Sequence, residues 1–221
     1  STTFGKLKEP LLQLTAVMRL FNAKSHIALG AGDEDQSIVG TDYPYADHFE
    51  DHASIVKIGP VSQILGQQVL TAPSVFNFYP PDFSPTGALA SQGLVAPELK
   101  LVNETQVYSV FNAYNALLGQ GVYYQPLPFT PQQTLVFLSA DLLEQIWETQ
   151  PGTDLDKATA VVDFVDYYLN AGKLKQTDNQ GTRQELISAV QLAPCQSDGI
   201  CERYNLAIYG AAVAPEFQVQ Q

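Results

Sequence analysis

The one grouping of metal-ligating side chains at a productive spacing is Asp47-His48-Phe49-Glu50-Asp51-His52. On a helix, residues four apart share a face, so His48 would stack over His52, with Asp47 and Asp51 on the neighbouring stripe. Two imidazoles and the Asp51 carboxylate form part of a site for Zn²⁺ or another divalent ion. A further ligand, His26 or water, is needed to complete it. The metalloprotease motif places Glu directly after its first His, and here that position is Phe49. The competing reading is a solvated acidic segment that happens to hold two histidines. Asp33-Glu34-Asp35, with Ser37 and Asp42, offers hard oxygen ligands for Ca²⁺. Ile38 stands where a calcium loop of the EF-hand type needs Gly, and no acid closes the loop.

Other catalytic signatures are absent from the sequence. There is no nucleophile elbow and no phosphate-binding loop. Gly30-Ala31-Gly32 begins like a dinucleotide fingerprint, but Asp33 follows and no strand pattern precedes it. Aromatic residues gather in segments 76–83 and 108–124. They can serve as a stacking platform for sugars or as buried core. The partner expected from such segments is a protein or a carbohydrate.

Cys195 and Cys201 are the two cysteines, with Asp198-Gly199 as turn chemistry between them. So short a loop can bring their Cα atoms to disulfide distance. A metal site would need two more ligands close by, and neither a following His nor a redox CxxC is present. The favoured reading is a local disulfide and therefore an oxidising compartment. Two buried free thiols are the alternative.

Charge narrows the classes further. The 221 residues carry 23 acids and 11 bases, a formal net charge of -12. Between Ser25 and Asp156 stand fifteen acids against Lys57 and Lys100, so the whole excess is in the middle of the chain. Such a field repels phosphate, which argues against nucleic acid and anionic lipid as partners. Apolar residues at 45% indicate a globular chain, and no apolar run is long enough to span a bilayer.

The elements that must position these groups are mostly helical. Leu11, Leu14, Thr15, Met18 and Phe21 recur at three- and four-residue steps, which predicts a helix over 9–23 with Pro10 in its first turn. Segment 33–57 is acidic and aperiodic and reads as a long loop. A short helix is expected over 60–65. Prolines 73, 80, 81 and 85 forbid a helix over 71–85, and the aromatics between them predict a loop packed against the body. Pro97 marks a helix start. Asn103-Glu104-Thr105-Gln106 reads as a capping box rather than as the glycosylation sequon it also spells. A helix follows with Val107, Val110, Phe111 and Tyr114 on one face. Segment 134–139 can be extended. Four helices then follow over 141–148, from 153 or 154 to Gly172, 183–192 and 203–213. In the second of them, Ala158, Val161, Val162, Val165, Tyr168 and Leu169 form the predicted buried stripe. No signal-peptide pattern opens the chain at Ser1-Thr2-Thr3. Because the first helix begins almost at once, the expectation is a piece of something longer.

Five blocks occur together and in order. They are Phe4-Gly5-Lys6-Leu7-Lys8-Glu9-Pro10; Leu65-Gly66-Gln67 followed by Ala72-Pro73-Ser74-Val75-Phe76-Asn77-Phe78-Tyr79-Pro80-Pro81-Asp82-Phe83-Ser84-Pro85; Gly93-Leu94-Val95-Ala96-Pro97-Glu98-Leu99 leading to Asn103-Glu104; Leu169-Asn170-Ala171-Gly172-Lys173-Leu174; and Leu206-Ala207-Ile208-Tyr209 with Ala214-Pro215-Glu216-Phe217-Gln218-Val219-Gln220. In this combination the chain resembles the C-terminal part of the bacterial family called domain of unknown function 1800. The resemblance implies a mostly helical, exported protein with a missing N-terminal half as the natural partner of this part. It carries no catalytic residue, because no block is a catalytic signature. The acidic segment 33–57 and the cysteine loop depart from the family pattern.

The expectation is a mainly α fold: a single irregular helical bundle over 1–221, with long Pro/aromatic-rich loops and little or no sheet. Its expected role is a non-catalytic binding or interaction domain, extracellular or periplasmic. The alternative is a hydrolase with a divalent-metal or carboxylate site in or near 33–57.

Overall fold

The computed structural model describes residues 6–28, 66–67, 70–102, 104–118, 122–124, 133–176, 180–195 and 201–220. Within them the fold is mainly helical. The C-terminal part is a bundle of four helices: α4 (Asp141–Thr149), α5 (Asp154–Asn170), α6 (Gln180–Leu192) and α7 (Glu202–Val213). α5 lies at its centre and packs on α4, α6 and α7. Its Ala158, Val161, Val162 and Val165 are fully buried, as their spacing predicts. Tyr168, expected in that stripe, is instead 58% exposed and meets Tyr167 edge-to-face and Phe164 at a tilt. Leu169 takes the buried position beside it, because the helical repeat turns residue 168 past the edge of the apolar face.

The ends of α5 are fixed by local chemistry. Thr153 caps the first turn, accepting from the Asp156 amide, while the Asp156 carboxylate accepts from the Thr153 amide at 2.7 Å. At the other end Ala171 and Gly172 both turn left-handed, at φ 54° and 74°. Gly172 donates its amide to the Asp166 carbonyl at 3.0 Å. The Asp166 carboxylate is buried and accepts from the Leu174 and Lys175 amides, holding the 3-10 turn Lys173–Lys175 against the helix. Burial raises its pKa, and the two amides act in the opposite sense.

α7 reaches the centre of the bundle because its inner face is small. Ala207, Ala211 and Ala212 are fully buried around Ile208. A Cβ at Gly210 would lie 2.5 Å from Leu186 Cδ1 of α6, so this approach leaves almost no room for a side chain. The Cys195–Cys201 disulfide joins α6 to α7, with Cα atoms 4.0 Å apart. Pro215, expected to stop α7, does so and also opens the short helix α8 (Pro215–Gln218).

The N-terminal part is layered on this bundle. β1 (Lys6–Leu7) pairs antiparallel with β5 (Val219–Gln220). α1 (Pro10–Leu20) starts one residue later and ends three earlier than its periodicity predicts, and it buries Leu14 and Val17. α2 (Ala88–Ser91) and the 3-10 helix Pro97–Leu101 precede α3 (Glu104–Leu118), whose Ala113, Tyr114 and Leu117 enter the core. The extended segment near 134–139 is a strand, β4 (Gln133–Phe137). It is the middle member of a small antiparallel sheet between β2 (Lys24–Ala28) and β3 (Val122–Tyr124). Ser139 donates to the Phe21 carbonyl and Leu138 to the Leu117 carbonyl, which ties this sheet to α1 and α3. Among the described residues no helix is long and apolar enough to cross a membrane.

Candidate functional site: an anchored proline and aromatic loop

Sequence pointed to three places, and the structure treats them differently. His48, His52 and Asp51, the possible Ca²⁺ ligands of 33–42, the whole acidic segment 33–57, the expected helix over 60–65 and the Asn103 cap lie outside the described residues. His26 falls on β2, where its backbone pairs with Leu135. Among the described residues no group of three or more His, Cys, Asp or Glu is placed to hold a metal ion. Cys195 and Cys201 are joined, as the spacing predicts. The proline and aromatic segment is where side-chain bonds between distant parts of the chain converge.

Their centre is the start of α1. Pro10 lacks an amide hydrogen, so Leu11 presents the first amide that needs a partner. Glu9 at the cap position makes no capping bond. Gln67 supplies it from 56 residues away: its Oε1 accepts from the Leu11 amide at 2.8 Å, and its side chain is almost wholly buried. Gln67 Nε2 donates to Glu9 Oε2 at 2.8 Å. Glu9 Oε1 accepts from the Tyr79 hydroxyl at 2.7 Å. One carboxylate therefore ties the first turn of α1 both to Gln67, just ahead of the proline segment, and to Tyr79 within it. Partial burial, and then the Glu9 bond, hold the Tyr79 phenol neutral well above its ordinary pKa.

A second tie lies alongside. Glu98 is buried and pairs with Lys6 at 2.7 Å. That bond raises the Lys6 pKa, although the ammonium stays in solvent. The loop also braces itself. Ala96 donates to the Phe83 carbonyl at 2.9 Å, Ser84 Oγ donates to the Leu94 carbonyl at 2.7 Å, and Lys100 Nζ stands 5.2 Å from the Phe83 ring centre.

The outer end has a different character. Ser74 and Asn77 form an antiparallel bridge, with the Asn77 amide donating to the Ser74 carbonyl and the Phe76 amide to Ser74 Oγ, both at 3.1 Å. Asn77 takes φ 66°, a left-handed conformation that Asn tolerates better than most side chains. This turn presents Val75, 95% exposed, and Phe76, 59% exposed. The expected packing of the whole segment against the body is therefore corrected. Its base is packed, with Phe78, Tyr79, Pro80 and Phe83 half-buried, and its tip is not. The tip's turn is closed within itself, by the Ser74 carbonyl and the Ser74 hydroxyl oxygen.

Beside the anchor lies a recess of about 100 Å³, open on one side. Its lining is mainly apolar, with Leu7, Pro10, Leu99 and Val102 among its walls, and also includes Gln13 and Gln218. Glu9, Gln67 and Glu98 were not singled out by the sequence reading. Their partners stand 58 and 70 residues away in the case of Glu9, so no local spacing announces them. The single available signal was that Glu9, Gln67 and Tyr79 occur inside the blocks that carry the family resemblance. No family model, curated protein or solved structure matches this chain.

Proposed function

We propose that this chain is a non-catalytic interaction domain of an exported bacterial protein related to the domain of unknown function 1800 family. The observation that carries the reading is the loop with two characters: a base fixed to α1 through Glu9, and a tip that holds Val75 and Phe76 in water. Fully burying a Val or Phe side chain is worth roughly 1.5–3 kcal/mol. A turn that withholds this burial while being braced by its own bonds is preorganised for contact with another surface. The disulfide supports the assignment to an oxidising compartment, extracellular or periplasmic. The family resemblance rests on the five sequence blocks alone.

The test is site-specific cross-linking in the exported fraction of cells. A photoreactive benzophenone side chain at position 76 is expected to give discrete adducts, whereas the same group at the exposed position Leu155 of α5 gives none. Equal labelling at the two positions would remove the basis of this reading. The competing hydrolase reading rests on the spacing from Asp47 to His52. Stoichiometric metal in the purified chain, lost together with a hydrolytic activity in His48→Ala, would favour it instead.

A further inference from the structure

We propose that the Cys195–Cys201 bridge is a site of thiol–disulfide exchange, opened at Cys195 by the thiolate of a dithiol donor and releasing Cys201. The inference stands apart from the loop at Val75 and Phe76. Three observations lead to it.

The first is access. Exchange begins when a thiolate attacks one sulfur of the bridge, so access decides which sulfur is struck. Cys195 is exposed, whereas Cys201 is half-buried. Pro194 beside it is also exposed, and Leu192 is 81% exposed. An apolar rim therefore adjoins the cysteine that an incoming molecule can reach.

The second is the asymmetry of the two cysteines as leaving groups. Cys201 holds the N-cap position of α7, a helix of 12 residues. A side-chain acceptor at that position bonds first-turn amides and meets the positive end of the helix. Locked in the bridge, Cys201 makes no capping bond. Released as a thiolate, it gains this environment, which favours its departure. Arg203 in the same turn acts in the same sense and is held in place over the Trp147 ring, with Nη2 donating to the Ala193 carbonyl at 3.2 Å. Glu202 acts against it. Cys195 has no such support, because it lies three residues beyond the negative end of α6.

The third is that the junction has ties besides the sulfur bond. The backbones of Cys195 and Cys201 pair as an antiparallel bridge, and the Glu202 amide donates to the Pro194 carbonyl at 3.2 Å. Leu186 of α6 closes on α7 at Gly210. The crosslink spans a short loop and adds only modest stability. The opened cysteines therefore stay opposite each other, ready to close again.

The exchange balances in two steps. The donor thiolate bonds to Cys195 Sγ, the bridge breaks, and Cys201 leaves with the electron pair. The donor's second thiolate then attacks its own sulfur in the mixed disulfide, and Cys195 leaves. The donor is oxidised to a disulfide, the bridge is reduced, and the two protons given up by the donor thiols are taken up by the two cysteines.

The test uses the intact, oxidised chain. It is mixed with glutathione, quenched in acid at early times and alkylated, and tandem mass spectrometry locates each group. Glutathione is expected on Cys195 and the alkyl group on Cys201, with the reverse arrangement roughly tenfold rarer or less. Equal partition, or glutathione chiefly on Cys201, overturns the proposal. In mixtures of reduced and oxidised glutathione, the bridge should be half-reduced at millimolar thiol with an unchanged far-ultraviolet circular dichroism spectrum. A bridge still closed at about 100 mM glutathione marks a structural crosslink and overturns the proposal. Loss of the helical spectrum on reduction overturns it as well. A dithiol peptide reacting roughly tenfold faster than glutathione at equal thiolate concentration identifies a protein as the donor, and equal rates identify a small thiol.

Discussion

The helical bundle formed by α4 to α7 and the proline and aromatic loop beside it are held in place by different means. The bundle is held by burial: Leu143, Val161, Val162, Val165, Ile208 and Ala211 are fully buried, and polar chemistry acts at helix ends. α1 and α3 share that core through Leu14, Val17, Tyr114 and Leu117, whereas the loop over 70–102 is held at a few points, chiefly the Glu9, Gln67 and Tyr79 bonds and the Glu98–Lys6 pair, while much of its apolar surface faces water. Burial is spread over many contacts, so no single contact decides whether the bundle folds. A polar anchor concentrates its effect, so one side chain decides whether the loop stays in place. A surface intended for a partner can be set aside in this way without weakening the core.

The largest break in this contrast should come from the bundle. Ile208→Ala in α7 is expected to cost about 2–5 kcal/mol. Urea unfolding should show a lower midpoint at an unchanged slope, because the whole chain loses stability together. Opening the Cys195–Cys201 bridge by Cys201→Ser should cost about 2 kcal/mol, since the closed loop is short. A midpoint unchanged by that substitution would show that the packing of α6 on α7 carries the junction alone.

Glu9→Ala should have a smaller and more local effect. It leaves the Tyr79 hydroxyl and Gln67 Nε2 without their acceptor, at a cost of about 1–2 kcal/mol for partly solvated bonds. Hydrogen exchange should accelerate in residues 70–86 and stay unchanged in α5 and α7. Acceleration spread equally over both regions would erase the distinction drawn here.

The smallest effect is expected from alkaline titration. Tyr79 and Tyr114 both have raised pKa values, Tyr114 through deep burial and Tyr79 through partial burial and its bond to Glu9. Below the ordinary value of 10.0 the phenol is neutral in both folded and unfolded chains, and its contribution is fully present. Above that value the unfolded chain loses its proton first, so stability falls as pH rises. The Tyr79 step should open the loop alone and disappear in Tyr79→Phe, whereas ionisation of Tyr114 should accompany unfolding of the core. Tyrosinate absorbance read beside far-ultraviolet circular dichroism separates the two.

The legibility of the sequence follows the same division. Most of the stripe of α5, its cap to within Thr153 or Asp154, and its stop at Gly172 could be read, because each depends on residues within one or two turns. The disulfide could be read from its short spacing. The exposure of Tyr168 was missed because a stripe in sequence shows the period of a face but not its edge. The Glu9 anchor was missed because a hydrogen bond across 58 or 70 residues leaves no periodic trace.

The sequence alone determined the mainly helical fold, the helix stops at Gly172 and Pro215 and the joined cysteines, since propensity, periodicity and short-loop geometry are local properties. Only the tertiary structure decided that Gln67 caps α1, that one carboxylate holds the proline loop at its base, and that Val75 and Phe76 stand beyond it in water. Those outcomes depend on which distant segments meet, and that is set by the packing of the whole chain.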